Sequence, residues 1–241
     1  SELLRKVSKS DTYKDMNADQ VFLSITQIPE VWYTVPVIYL KRGNDSIRSI
    51  AGIEKDIKYA SLSDFFDAQG SYKLTKQLEV AYREAVPNQF QKDFMDLDKR
   101  INLLYSALTG EILKVFPVPN DPNNKWLSYG EINATPHDTV LATVKNILPL
   151  YVQALQKASV DGNYKVADSM LEGLGSYQHK FGSKVMPHDD KVDAEILYNK
   201  YDIFKKLFSW YLYAGLLMFI FCIIRIFSNR KWVGITVKVF H

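Results

Sequence analysis

Hydrophobic and polar positions follow several rhythms along this chain, and the plainest is an unbroken apolar run. From Leu207 to Ile224 the sequence LFSWYLYAGLLMFIFCII passes without a charge. As a helix rising about 1.5 Å per residue it reaches roughly 27 Å, close to a hydrocarbon core of about 30 Å. Lys205 and Lys206 precede it and Arg225, Arg230 and Lys231 follow, with stems long enough to snorkel. Trp210, Tyr211, Tyr213 and Trp232 suit the two interfaces. The pattern predicts a transmembrane helix over 205–228. Its place late in the chain excludes a signal peptide.

Upstream, Phe90, Phe94, Leu97, Ile101, Leu104, Leu108, Ile112 and Val115 recur at spacings of three and four, with Lys92, Asp93, Asp96, Lys99 and Arg100 between them. This predicts one long amphipathic helix that needs partner helices over its stripe. A second helix is expected from about Asp138, which would cap it, with Val140, Val144, Ile147, Leu148, Tyr151 and Leu155 inside. A third follows the Asp161-Gly162-Asn163 turn, burying Tyr164, Ala167, Leu171, Leu174 and Phe181 and stopping at Gly182. Val192, Ile196, Ile203 and Leu207 then continue at helical spacing with no Pro or Gly before Gly215, so one rigid rod is expected to lead into the membrane.

Shorter helices are expected over Glu2–Lys9, after Asn17 with Gln20 as a capping box and Pro29 as the end, around Ile47, Ile50 and Ile53, from Ser61 with Asp64 to Gly70, and over Leu74–Ala85. Val31–Leu40, VWYTVPVIYL, is the best strand candidate, limited by Pro36 to an edge or extended segment. Phe116–Asn124, FPVPNDPNN, predicts a turn-rich loop, with Trp126 as the apolar lid that pins it to the helices. The fold class is mainly α, with few or no short strands. The expected organisation is an extracytoplasmic helical domain over 1–204, the membrane helix over 205–228, and a cytoplasmic turn with the start of a further membrane segment over 229–241. No internal repeat or low-complexity linker occurs.

Composition narrows the function. With 241 residues there is room for one domain of about 200 residues beside the anchor. A formal charge of +3 implies no broad nucleic-acid surface. The single cysteine, Cys222, excludes an internal disulfide and any CxxC or CxxCH site. After the apolar run come Arg225, Arg230, Lys231 and Lys238 with no Asp or Glu, which points the C-terminal side to the cytoplasm. Residues 1–204 are then expected in the periplasm, with the anchor in the cytoplasmic membrane. The start at Ser1 without Met and the apolar end VGITVKVFH lead us to expect a piece of a larger membrane protein.

No GxSxG, HExxH, Walker loop or dinucleotide fingerprint is present, and no catalytic residue or metal site is identifiable. The histidines His137, His179, His188 and His241 are dispersed. His188, two residues after Met186 in VMPHDD, and His137 in TPHDT are candidates for a haem or metal ligand, with an ordinary loop histidine as the competing reading of each, and the role of His241 is open. Glu195 and Asn199, with Tyr198 between them, are either a polar contact above the bilayer or a solvated turn.

SELLRKVSK, DQVFLSITQIPEVW, KYASLSDFFDAQGSYKL, KVFPVPNDPNNKW, VKNILPLYVQAL and DAEILYNKYDIFKKLF together resemble the extracytoplasmic segment of the large fused cytochrome c biogenesis proteins. In these a ResB-like (CcsB) half precedes a CcsA half, forming the system II cytochrome c synthetase. The resemblance spans essentially the whole chain. It implies haem as cofactor of the full-length protein, and apocytochrome c, the ResB-like and CcsA portions and the lipid bilayer as partners. The family's tryptophan-rich motif has no match, since Trp32, Trp126, Trp210 and Trp232 are isolated, so no family haem ligand carries over. The resemblance therefore implies a structural and docking segment before the CcsA core. Its rival is a direct haem or metal relay using His188 or His137, with Tyr33, Tyr39 or Trp126 against a porphyrin. A third reading is a membrane-anchored interaction domain unrelated to haem.

Overall fold

The computed structural model describes residues 2–134, 139–201 and 203–227. Asp138 as a helix cap, His137, His241, Trp232 and the segment 229–241 lie outside them. By contact the chain divides into two units, 1–185 and 186–241.

The first unit begins with α1 (Glu2–Ser8), the two-residue strands β1 (Thr12–Tyr13) and β2 (Met16–Asn17), and α2 (Ala18–Gln27). The expected capping box is present. Asn17 Oδ1 accepts from the amides of Asp19 and Gln20 at 3.0 and 2.9 Å, while Gln20 Oε1 accepts from the Asn17 amide at 2.9 Å. Pro29 both ends α2 and opens a single turn, α3 (Pro29–Trp32), because its missing N–H costs nothing at a first helical position. Trp32 is buried there and donates its indole N–H to Ser24 Oγ at 2.9 Å.

The expected strand over Val31–Leu40 shrinks accordingly. Its start is helical, and only β3 (Ile38–Tyr39) pairs, antiparallel with β4 (Tyr59–Ala60). Between the two strands the chain makes an excursion carrying α4 (Asp45–Ala51). A 3-10 turn over Ser63–Phe65 follows β4, opened by Asp64 accepting from the Ser61 amide at 2.7 Å. Then come α5 (Thr75–Arg83) and α6 (Gln89–Leu108).

Helix α6 is the spine of this half. It buries Phe94, Leu97, Ile101 and Leu104 against α1, α2 and α5, and each such side chain contributes about 1.5–3 kcal/mol. Its stripe stops earlier than the periodicity predicts. Gly110 takes φ +71, the Gly110 amide donates to Ala107 O and the Glu111 amide to Ser106 O at 2.8 Å, a left-handed stop that satisfies the last carbonyls. Ile112 and Val115 therefore lie beyond the helix. Phe90, on its first turn, is largely exposed.

A second cluster is built on a hairpin of β5 (Lys114–Pro117) and β6 (Trp126–Ser128), with Phe116 opposite Leu127. The FPVPNDPNN stretch is its last strand residues and its turn. Asp121 orders that turn by accepting from the amides of Asn123 and Lys125, both at 2.9 Å. Helices α7 (Tyr129–Ala134), α8 (Thr139–Val144), α9 (Ile147–Asp161) and α10 (Lys165–Gly182) follow. Ser128 and Glu131 form a reciprocal cap on α7, at 2.8 and 3.2 Å. The Ser128 amide, with Lys114 beside it, holds the Glu131 carboxyl below its usual range.

The single helix expected from Asp138 to beyond Leu155 is two. Pro149 would clash with the carbonyl of residue 145 in a continuous helix, and the break falls at 145–146. Helix α10 runs as predicted and ends at Gly182, although Tyr164 and Leu171, expected inside, are exposed. It seals the hairpin's outer edge: the Tyr177 hydroxyl donates to Pro117 O at 2.5 Å and Gln178 Nε2 to Val115 O at 2.9 Å.

The second unit holds α11 (Asp189–Tyr201), which buries no residue, and α12 (Ile203–Phe227). Lys206–Phe227 is the one helix among the described residues long and apolar enough to cross a membrane, with none of it buried in protein. Residue 202 is outside the described set, so continuity of the rod is not part of the observed fold.

Candidate functional site

The sequence candidates do not converge. His188 is exposed at the start of α11, where its carbonyl accepts from the Lys191 amide at 2.9 Å. In the first unit Tyr33 packs on Phe66 and Tyr39 on Tyr59, at centroid distances of 6.4 and 6.1 Å. Trp126 lies against Gly182 instead, so closely that a Cβ there would collide with the indole. Glu195, Tyr198 and Asn199 are exposed on α11. A haem pocket needs an axial ligand facing an apolar slot. Neither of the two larger cavities described is lined by a histidine, and no group of three His, Cys, Asp or Glu is set to hold a metal among the described residues.

What the fold does gather is charge around the β3–β4 excursion. Arg48 on α4 is only 3% exposed. Its Nη1 donates to Lys41 O at 3.0 Å, its Nη2 to Leu40 O at 3.4 Å and Ile57 O at 3.2 Å, and its Nε to Ile57 O at 3.3 Å. The guanidinium therefore ties the chain leaving β3 to the chain approaching β4. Beside it opens a cavity of about 690 Å³ whose charged lining is Arg42, Arg48, Lys55 and Lys58 against Asp45 and Asp56. Lys55 and Asp45 pair at 3.5 Å. No other carboxylate pairs with these cations among the described residues. Tyr39 closes one wall, with Arg100 and Lys58 on its ring at 5.4 and 6.0 Å.

Two other polar centres hold the spine. Asp98 is buried on α6 and accepts from the hydroxyls of Tyr72 and Tyr82, each at 3.0 Å. Burial first, then the Asp98 charge, pushes the Tyr72 hydroxyl well above the usual phenol range. At the start of α6, Asp93 accepts from Lys41 at 2.8 Å and Gln89 at 2.9 Å. Burial works against its ionisation, yet these bonds and the Lys41 charge outweigh it and leave the carboxyl below its usual value. An apolar cleft of about 370 Å³ separates Thr26 and Gln27 of α2 from Leu148 and Val152 of α9.

Sequence reasoning singled out neither Arg48 nor Asp98. Nothing in composition distinguishes a buried arginine from the solvated ones; the only trace of Arg48 is its place three residues before Ala51 on the buried side of a short helix.

No protein-family model matches the chain. The chain is 30% identical over 221 residues to Protein NrfI of Wolinella succinogenes, a match covering 90% of this chain and 24% of that protein. This chain thus spans about a quarter of the length of the curated relative it matches.

Proposed function

We propose that the chain is the extracytoplasmic segment and following membrane anchor of a cytochrome c biogenesis protein, serving haem export and haem–apocytochrome ligation as a structural and docking domain. In this reading it stands between the ResB-like and CcsA portions of one long protein in the cytoplasmic membrane, with residues 1–204 on the periplasmic side. The apocytochrome docks outside, and the thioether bonds form in the remainder of the protein. The observation that carries the reading is extent. Similarity to Protein NrfI takes in 90% of the chain and 24% of that relative, which supports a part in cytochrome c biogenesis. A helix able to cross a bilayer following a domain with its own core supports the topology.

The test is a ferric haem titration of the full chain in detergent, read by Soret absorbance, together with maturation of c-type cytochromes in cells carrying His188→Ala and His137→Ala in the parent protein. The expected result is no stoichiometric Soret shift that depends on either histidine, and undiminished maturation. A saturable shift lost with these substitutions would replace the docking reading by the haem relay. Normal c-type cytochromes after removal of the whole segment would detach it from haem altogether.

A further inference from the structure

The charge arrangement at the β3–β4 excursion asks for something its hydrogen bonds do not supply. Arg48 places a guanidinium cation in a position only 3% exposed. Carbonyl dipoles of Leu40, Lys41 and Ile57 solvate it but bring no negative charge, and a buried cation is stabilised fully only by a counter-charge. Five N–H donors are available to a guanidinium. Here they meet four contacts, two of them to the same Ile57 oxygen and only one from Nη1. With Lys55 and Asp45 paired, the remaining charged lining is Arg42, Arg48 and Lys58 against Asp56.

We propose that this cavity binds a small oxyanion ligand bearing carboxylate or phosphate groups, with Arg48 at its base and Arg42 and Lys58 at its rim. A volume of about 690 Å³ lies within the range of small-molecule sites. Planar guanidinium donors match the paired oxygens of either group. The rim cations are exposed, so they attract the anion at a distance and their share of the affinity is screened by salt. Tyr39, with Arg100 and Lys58 over its ring, forms part of the cavity wall. The inference stands independently of the cytochrome reading.

Isothermal titration calorimetry of the full chain in nonionic detergent, with inorganic pyrophosphate in one arm and citrate in the other, tests it and separates phosphate from carboxylate. The expected result is saturable one-to-one binding of at least one probe at millimolar concentration or below, weakened by added NaCl. Arg42→Gln combined with Lys58→Gln, both at exposed positions, is expected to weaken it roughly tenfold or more. Because replacing Arg48 could disturb the fold, its part is read in the wild-type chain, as a shift of the Arg48 Nε–H resonance on adding the probe. No saturable binding of either probe, equal binding by the double variant, or an unmoved Arg48 resonance would overturn the proposal.

Discussion

At the scale of single residues, two sites show how closely this fold specifies its neighbours. Gly182 and Gly173 both lie on α10, yet only Gly182 faces an indole, that of Trp126, while a Cβ at Gly173 meets nothing within 4 Å. Gly182→Ala is therefore expected to destabilise the domain by about 1–3 kcal/mol, the usual cost of forcing atoms into filled space. Gly173→Ala should stabilise it by about 0.5–1 kcal/mol through helix propensity alone. Urea melts followed by circular dichroism compare them directly, and equal effects of the two would remove the packing argument. The Asp98 centre makes a pH-dependent prediction. Tyr72 has its ionisation raised in the folded state, first by burial and then by Asp98. Below about pH 10 the hydroxyl is protonated whether folded or not. Above that, the unfolded chain gives up the proton first, and stability falls as pH rises. Tyr72→Phe should cost about 1.5–3 kcal/mol at neutral pH, since a hydrogen bond to a charged group is lost, and should make the decline above pH 10 shallower. Melting the two proteins across that range tests both effects. Gly182 is legible in the sequence as a helix stop, but neither its packing on Trp126 nor the role of Asp98 is, because these come from partners at positions 126, 72 and 82 that no local pattern connects to them.

Elements were legible in proportion to how local their causes are. The Asn17–Gln20 box was readable because cap, spacing and apolar stripe all occur within one turn. Asn88 and Gln91 make the same reciprocal bonds, at 2.9 and 2.8 Å, at the start of α6, and the same spacing would have found them. Asn88→Ala is expected to cost about 1 kcal/mol and to speed amide exchange in the first turn of α6 ahead of its middle, which hydrogen-exchange mass spectrometry resolves. Uniform exchange along the helix would contradict a role confined to that end. Where periodicity misled, the physical reasons differ. Ile112 and Val115 fall in phase with α6 by coincidence, and the stop lies in the Thr109-Gly110 backbone rather than in the stripe. The strands β5 and β6, of four and three residues, are too short to display alternation. VWYTVPVIYL has the composition of a strand, but Pro29 has already turned its beginning into helix, and tertiary position outweighs β-propensity.

At the scale of the molecule, the apolar run announces α12 without ambiguity, and the mainly helical class follows from the stripes before it. The site was far less legible: the eye goes to histidines, whereas the fold gathers Arg42, Arg48 and Lys58 around a cavity by closing a long excursion between two short strands. Membrane insertion makes its own prediction through the single thiol, Cys222, exposed on α12 outside any protein core. In intact membranes it should resist a water-soluble maleimide and react once the membrane is dissolved and the chain denatured. Rapid labelling before that step would place α12 outside the lipid. The sealed edge of β5 has a consequence for how these molecules behave when crowded together. An unpaired strand edge invites another chain to continue the sheet, the first step toward fibres. Here the outward carbonyls of Val115 and Pro117 are already engaged by α10, and Pro117 has no N–H to offer. Until α10 detaches, those two carbonyls of β5 are closed to a neighbouring copy.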